Sequence, residues 1–590
     1  MSSFFSEVRE RLRRLRDGFY RKKYMVIAKL IGRSAHSDLS QRGLLVVQLD
    51  ALPYETFRSA MERGYLPFLR RELLRGNFHA QKWYSGIPSN TPSVQAGLLY
   101  GNNDNIPGFR WYEKDKRLHV SFKSPLSAGL VEERLDSRFE GLLKGGSSYA
   151  NMFSGAASTS VATFGSFTQF NIARALRWLR LLLLLLMNFF TVLLTVFYTF
   201  KEFAIELYDW LHVIRNRLIQ RGEYLFPLYR ILMNVWVREV ITVGVMTDIA
   251  RGVPSIYITY LSYDELAHQR GPLSKSALNS LKTIDRRIKR IVRLARRKIL
   301  REYDIFVFSD HGIAASMPFF FLYGQTFDQY VSELADNKVT AYRSENPGDF
   351  QVTYARILAL RLENYERELM RGARVVVRAF RRILQRRVER DAESRPKSED
   401  VIVALSGPLG HIYLPSEGAA QQDEINERYP KLIQGLVDHK GVGVVVTRKG
   451  NDVVVRSAEG CAIVDQQGQP TNVQGDPLPR IEPKRLAYRG LRRLMNMNNS
   501  GDIVVLGADN GRYTVNFEEQ MAAHGGLGGL QNSSFLMHQP GYEGSVEGID
   551  DPLMLYEIFK GVRNRPSHVK EIDANVGLRR PRDERGRSSR

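Results

Sequence analysis

Cysteine is nearly absent from this chain: Cys461 is the only one in 590 residues. No intrachain disulfide can form and no multi-thiolate site can be built, so a bound metal has to be held by nitrogen and oxygen. Acidic residues are in deficit, 63 Asp and Glu against 85 Lys and Arg, which leaves a formal charge of +22 and calls for an anionic partner. Nucleic acid and an anionic membrane surface are the two physical candidates, and composition does not choose between them. The opening stretch MSSFFSEVRERLRRLRDGFYRKK lacks the apolar centre of a cleavable signal peptide, so a cytoplasmic location is expected. With 25% charged and 43% apolar residues, the composition excludes wholesale disorder.

Long uncharged runs are scarce too. The most apolar of them, residues 181–200, has six consecutive leucines, with Arg177 and Arg180 before it and Lys201 after it. Twenty helical residues cover roughly 30 Å, the thickness of a bilayer core. A single crossing would nevertheless put the chemistry-bearing residues before and after it on opposite sides of the membrane. No clean second span follows, because 224–246 is interrupted by Arg230, Arg238 and Glu239. Residues 172–245 are therefore expected to form an inserted apolar helical element that associates with one leaflet, monotopic or peripheral. Its flanking cations favour the cytoplasmic face.

Short apolar runs at 43–50, 255–261, 305–309, 401–405 and 503–506 alternate with helical stretches, which predicts an α/β fold with a central mostly parallel sheet flanked by helices. Around it the expected organisation is a basic helical arm at 1–42, a catalytic domain at 43–171 and 246–535, a basic helical insertion at 353–398 within that domain, and a segment at 536–590 ending in a basic disordered tail.

Three clusters of ligand-type side chains sit where predicted strands end. Asp50 closes the first run. Asp264 and His268 are four residues apart and share a helix face, and Asp310 and His311 precede Gly312, read as permitting a tight turn. A mixed Asp and His set without thiolates suits zinc, with manganese as an alternative. A turn rich in proline and small residues, 86–101, leads into an apolar helix with Thr91 at its start. A hydroxyl there gains help from the helix dipole toward an attacked phosphate, although Asn90 and Thr91 also suit a plain helix cap.

These segments resemble the alkaline phosphatase superfamily in its type I phosphodiesterase and nucleotide pyrophosphatase branch. The motifs are VVQLDALPYETF, PSNTPSVQAGLLYG, YDELAHQRGP, FSDHG and AAHGGLGG, over about 44–170 and 245–535. The resemblance implies two divalent metal ions, one held by Asp50, Thr91, Asp310 and His311, the other by Asp264, His268 and His524. It implies a phosphate ester hydrolysed through a Thr91 phosphoenzyme, with Asn90 as a donor to the phosphoryl oxygens. His411, in SGPLGHIYLP, competes with His524 as the late ligand or stands on the substrate side. The expected substrate is a phosphate ester, naturally a lipid-linked one beside a membrane surface, and nucleic acid is not favoured as a partner. A phosphoethanolamine- or phosphoglycerol-type transferase is the alternative enzyme, and an inactive basic scaffold the alternative of another class. The sequence does not set the oligomeric state.

Overall fold

The computed structural model describes residues 39–165, 232–335 and 401–566, apart from 298–299, 416–417 and 564, together with 341–343 and six helical positions between 193 and 203. The arm up to residue 38, the 353–398 insertion, the tail after 566 and most of 172–245 lie outside the described residues.

Seven strands form the central sheet: β1 (Gly43–Leu49), β2 (His79–Tyr84), β3 (Ser147–Tyr149), β4 (Thr159–Val161), β5 (Ser255–Tyr260), β6 (Tyr303–Phe308) and β7 (Ser533–His538), in the spatial order β2-β7-β6-β1-β5-β3-β4. From β6 through β4 every pairing is parallel, and β7 and β2 close one side antiparallel. Strands β1, β5 and β6 are buried throughout, as near-continuous apolar runs covered on both faces must be. Side chains alternate between the two cores: Leu45, Val47 and Leu49 enter one, Leu44 and Val46 the other.

Five helices matter to the site: α1 (Thr91–Tyr100), α2 (Arg238–Arg251), α3 (Ser262–Arg270), α4 (Lys275–Ala295) and α5 (Pro552–Arg563). Helix α4 shows why periodicity works. Leu281, Ile284, Ile288 and Ile291, at three- and four-residue steps, are all buried against the sheet beside α2. The opposite face of the sheet takes α1 and α5, through Val94, Leu98, Leu99, Leu555 and Phe559.

Three sequence expectations need correction. The runs at 401–405 and 503–506 are not in the central sheet. As Val401–Ser406 and Ile503–Gly507 they belong to a second sheet of eight strands, where both flank Leu409–Tyr413 in antiparallel pairing. An apolar run declares burial but not its partner, and here Gly407 (φ 67°) and Pro408 fold the first run back on its neighbour. The membrane-associating element does not reach residue 245. Helix α2 starts at Arg238 and is core, and Glu239, which would be costly in hydrocarbon, is buried in protein where Arg287 and Arg290 pair with it. The catalytic unit does not stop at 535 either, since β7 runs to His538 and α5 to Arg563. Among the described residues no helix is long and apolar enough to cross a membrane.

Phe559 is fully buried, with its ring 5.0 Å from that of Phe306 and 6.3 Å from that of Phe308. Phe559→Ala is expected to lower stability by about 3–5 kcal/mol in urea denaturation. A loss below about 1 kcal/mol would place α5 outside the core.

Candidate metal centre

In-register pairing of β1 with both β5 and β6 brings the C-terminal ends of three strands level, Gln48 lying opposite Thr259 on one side and Phe308 on the other. Each strand then delivers its ligand-type residues to one edge: Asp50 directly after β1, Asp264 and His268 on α3 after β5, Asp310 and His311 after β6. The turn after Asp50 is tight, with Ala51 at φ 55° and its N–H donating to Asp310 Oδ1 at 3.3 Å. Helix α1 begins at Thr91, and His524 follows a short strand, Ala522–Ala523, paired with Ala314–Pro318 just beyond His311.

The side chains gather in two adjoining groups, in each of which the potential ligand atoms lie within 4.8 Å of one another: Asp50, Asp310 and His311, all buried, and Asp264, His268 and His524, partly exposed. Thr91 Oγ1 stands 3.3 Å from Asp50 Oδ1 and 3.1 Å from His311 Nε2. His311 Nε2 is 3.3 Å from Asp310 Oδ2. In the open group His268 Nε2 is 3.2 Å and His524 Nε2 3.7 Å from Asp264 Oδ1. The rings of His311 and His524 stack with centroids 4.0 Å apart, which joins the two groups.

All three imidazoles are oriented in the same way. Their Nδ1 atoms meet backbone carbonyls: Gly312 O at 3.0 Å for His311, Ala522 O at 2.7 Å for His268 and Ser89 O at 3.1 Å for His524. A carbonyl only accepts, so the proton of each neutral ring belongs on Nδ1 and the Nε2 lone pair faces the site, the arrangement of a metal-ligating histidine. Between His268 and His524 the two Nε2 atoms are 3.1 Å apart. Two lone pairs at that distance repel unless a proton or a cation lies between them.

Electrostatics point the same way. Burial, then the neighbouring Asp310 carboxylate, raises the Asp50 carboxyl well above its ordinary range. Burial opposes ionisation of Asp264 as well, but His268 outweighs it and holds that carboxyl below the usual range. His268, despite its own burial, is raised to about 9 by Asp264. His524 is pushed down by burial and by His311. Asp264 Oδ1 and Asp310 Oδ2 are buried without a hydrogen-bond partner, each within 3.3 Å of a ring nitrogen that lacks hydrogen-bond geometry. Carboxylate oxygens orphaned beside inward-facing imidazoles fit a pair of divalent cations.

The two amide atoms of Asn90 stand in different surroundings. Its Oδ1 caps α1 by accepting from Ser93 N at 3.0 Å, and its buried Nδ2 has no partner. His411 joins neither group. Its Nε2 reaches Pro107 O at 3.0 Å, its Nδ1 accepts from Gly501 N at 3.1 Å, and burial lowers its pKa to about 4. A neutral imidazole with both nitrogens occupied has none left to ligate, so the competition with His524 goes to His524 on geometry. Gly312 is needed for close approach, since a Cβ there would stand 2.0 Å from Leu530 O. Gly525, at φ 116°, does need glycine's conformational freedom. Ser89 escaped the sequence reading. Its Oγ donates to Gly526 O at 2.8 Å and accepts from Gly525 N at 3.1 Å, tying the Thr91 turn to the His524 loop. Nothing distinguishes it in sequence from any other small turn residue.

Residues 237–525 match the profile of the type I phosphodiesterase / nucleotide pyrophosphatase family. That span includes Asp264, His268, Asp310, His311 and His524, while Asp50 and Thr91 lie upstream of it. No curated protein matches by sequence. Among solved structures, phosphonoacetate hydrolase from Sinorhizobium meliloti in complex with phosphonoformate is similar at 13% identity and TM-score 0.40, over 89% of this chain and 96% of that one. An inactive form of murine ectonucleotide pyrophosphatase / phosphodiesterase 5 in complex with AMP is similar at 10% identity and TM-score 0.38, over 89% of this chain and 95% of that one.

Because Asp264 holds a proton on His268 up to about 9, cation uptake near pH 7 must displace it. Calorimetric titration of Zn²⁺ into metal-free protein, in buffers of different ionisation enthalpy, is expected to report proton release that shrinks as pH rises through 9 and is smaller in Asp264→Asn. Uptake with no buffer dependence at pH 7 would contradict this geometry.

Proposed function

We propose, from the premise that this chain belongs through residues 237–525 to the type I phosphodiesterase / nucleotide pyrophosphatase family of the alkaline phosphatase superfamily, that it hydrolyses a phosphate ester by covalent transfer to Thr91 between two divalent cations. The observation that carries the reading is the Thr91 hydroxyl between Asp50 Oδ1 and His311 Nε2, at the first turn of a helix. Asp50, Asp310 and His311 with Thr91 would hold one cation, and Asp264, His268 and His524 the other, zinc being the first choice for such donors and manganese the second. When bound, the cations supply charge neutralisation at the phosphoryl oxygens and a lowered pKa for hydroxyl and water.

The remaining work falls to the chain itself. The rigid α1 fixes the Thr91 Oγ1 direction, and the helix N-terminus favours the anionic substrate. Oγ1 attacks phosphorus, the ester P–O bond breaks and the alcohol leaves with a proton. Water then cleaves the phosphothreonine and restores the hydroxyl. The unpartnered Asn90 Nδ2 is a ready donor to a phosphoryl oxygen while its Oδ1 keeps the cap.

The membrane surface is the proposed place of action, at the cytoplasmic face, and a lipid-linked phosphate ester the proposed substrate. What supports this is the +22 charge and a helical stripe of exposed apolar residues, Leu193, Val196, Phe200 and Phe203.

With nitrophenyl phosphate mono- and diesters and added Zn²⁺ or Mn²⁺, Thr91→Ala is expected to lose at least about a thousandfold in kcat while retaining its metal content. Undiminished turnover would remove Thr91 from the reaction. Asn90→Ser keeps a capping oxygen and deletes the amide donor, so kcat should fall about a hundredfold with little change in melting temperature. Full-length protein should float with vesicles containing anionic lipid, be partly released from them by high salt, and bind vesicles of neutral lipid more weakly. Protein that stays in the soluble fraction with every vesicle composition would argue against the surface location.

A further inference from the structure

A ligating carboxylate needs partners for the lone pairs a cation does not take, and those partners fix its orientation. Asp50 Oδ1 has two: the Thr91 hydroxyl, and Gln48 Nε2 at 3.3 Å. Gln48 is fully buried on β1. A primary amide can present either end, and here the choice is forced from behind. Gln48 Oε1 accepts from Gln95 Nε2 at 3.0 Å and from the Tyr257 hydroxyl, so its NH₂ must face Asp50. Turning the amide over would set oxygen against carboxylate and NH₂ against two donors.

Gln95 is fixed in turn. Its Oε1 accepts from Met152 N at 2.7 Å, and its Nε2 also reaches Thr259 Oγ1, whose hydroxyl donates to Asn151 Oδ1 at 2.6 Å. Donation therefore diverges from the Gln95 amide, through Gln48 to Asp50 on one side and through Thr259 to Asn151 on the other, with every amide orientation determined. Gln95 stands on α1 one turn beyond Thr91, on the same helix face, and Gln48 stands two residues before Asp50. Thr91, Asp50, Gln48 and Gln95 thus close a ring that joins the nucleophile helix to the strand bearing the carboxylate.

We infer that Gln48 is a positioning residue for this site: backed by Gln95, it holds the Asp50 carboxylate in its ligating orientation and sets the reach of Thr91 over it. The inference rests on the two-cation reading above. A merely structural pair of buried amides would affect stability alone, whereas a positioning pair affects one cation site and the turnover number.

The test titrates Co²⁺ or Zn²⁺ into full-length, metal-free protein and into Gln48→Met, of similar length and without the donor, alongside kcat, KM and thermal melts. The weaker of two affinities should fall by a further tenfold to hundredfold, or the stronger should, according to which belongs to the Asp50 group, while the other stays within about twofold and kcat falls more than KM. If Gln48→Met gives no cooperative melt, Gln95→Met frees the amide of Gln48 to turn over and should produce the same pattern in smaller measure. Two unchanged affinities with unchanged kcat overturn the inference alone, whatever the melting temperature does. A wild-type protein that takes up no cation overturns the two-cation reading and the inference together.

Discussion

Everything in the site depends on three imidazoles whose Nδ1 atoms are tied to backbone carbonyls, of Gly312, Ala522 and Ser89. Because those carbonyls belong to the backbone, the orientation of the rings is built into the loops and does not depend on neighbouring side chains. The Nε2 atoms converge as a result on orphaned carboxylate oxygens, and two of them approach to 3.1 Å. A proton on His268 or a cation between the rings turns this apposition from a cost into an attraction, so the backbone hydrogen bonds fix where positive charge is favoured.

The two groups differ in burial, and that difference suits two tasks. Asp50, Asp310 and His311 are enclosed where the strands end, in surroundings that raise the proton affinity of Asp50 and strengthen any field acting on Thr91. Asp264, His268 and His524 are partly exposed, which leaves an approach for substrate and water. The fold produces this gradient simply: β1 and β6 are neighbours inside the parallel sheet, while α3 and the His524 loop lie over its edge.

Much of this was legible in the sequence for physical reasons. Asp50, Asp264, Asp310 and their histidines are rare residue types in a chain with 11 His, placed where apolar runs stop, and a strand end is where backbone direction and side-chain direction become predictable together. Periodicity marks α4, because four buried aliphatic positions at helical steps have no other economical reading. Pairing was not legible: the runs at 401–405 and 503–506 carry the burial signal of the central strands, yet lie in the second sheet. The end of the apolar element was not legible either, since Arg238 and Glu239 open helix α2, whose interior carboxylate is neutralised by two arginines that sit about fifty positions later. Ser89, Gln48 and Gln95 stayed invisible because small and amide residues declare nothing until their partners are known.

The family match begins at residue 237, but a cation site cut there would lose Asp50 and Thr91. Strand β1 lies between β5 and β6 in register, so the upstream residues are structural members of the matched unit and not an appendage to it. The same holds around the apolar stretch: β4 and α2 pack on one body, so the described residues up to 165 and from 232 belong to a single unit that carries both Thr91 and His524.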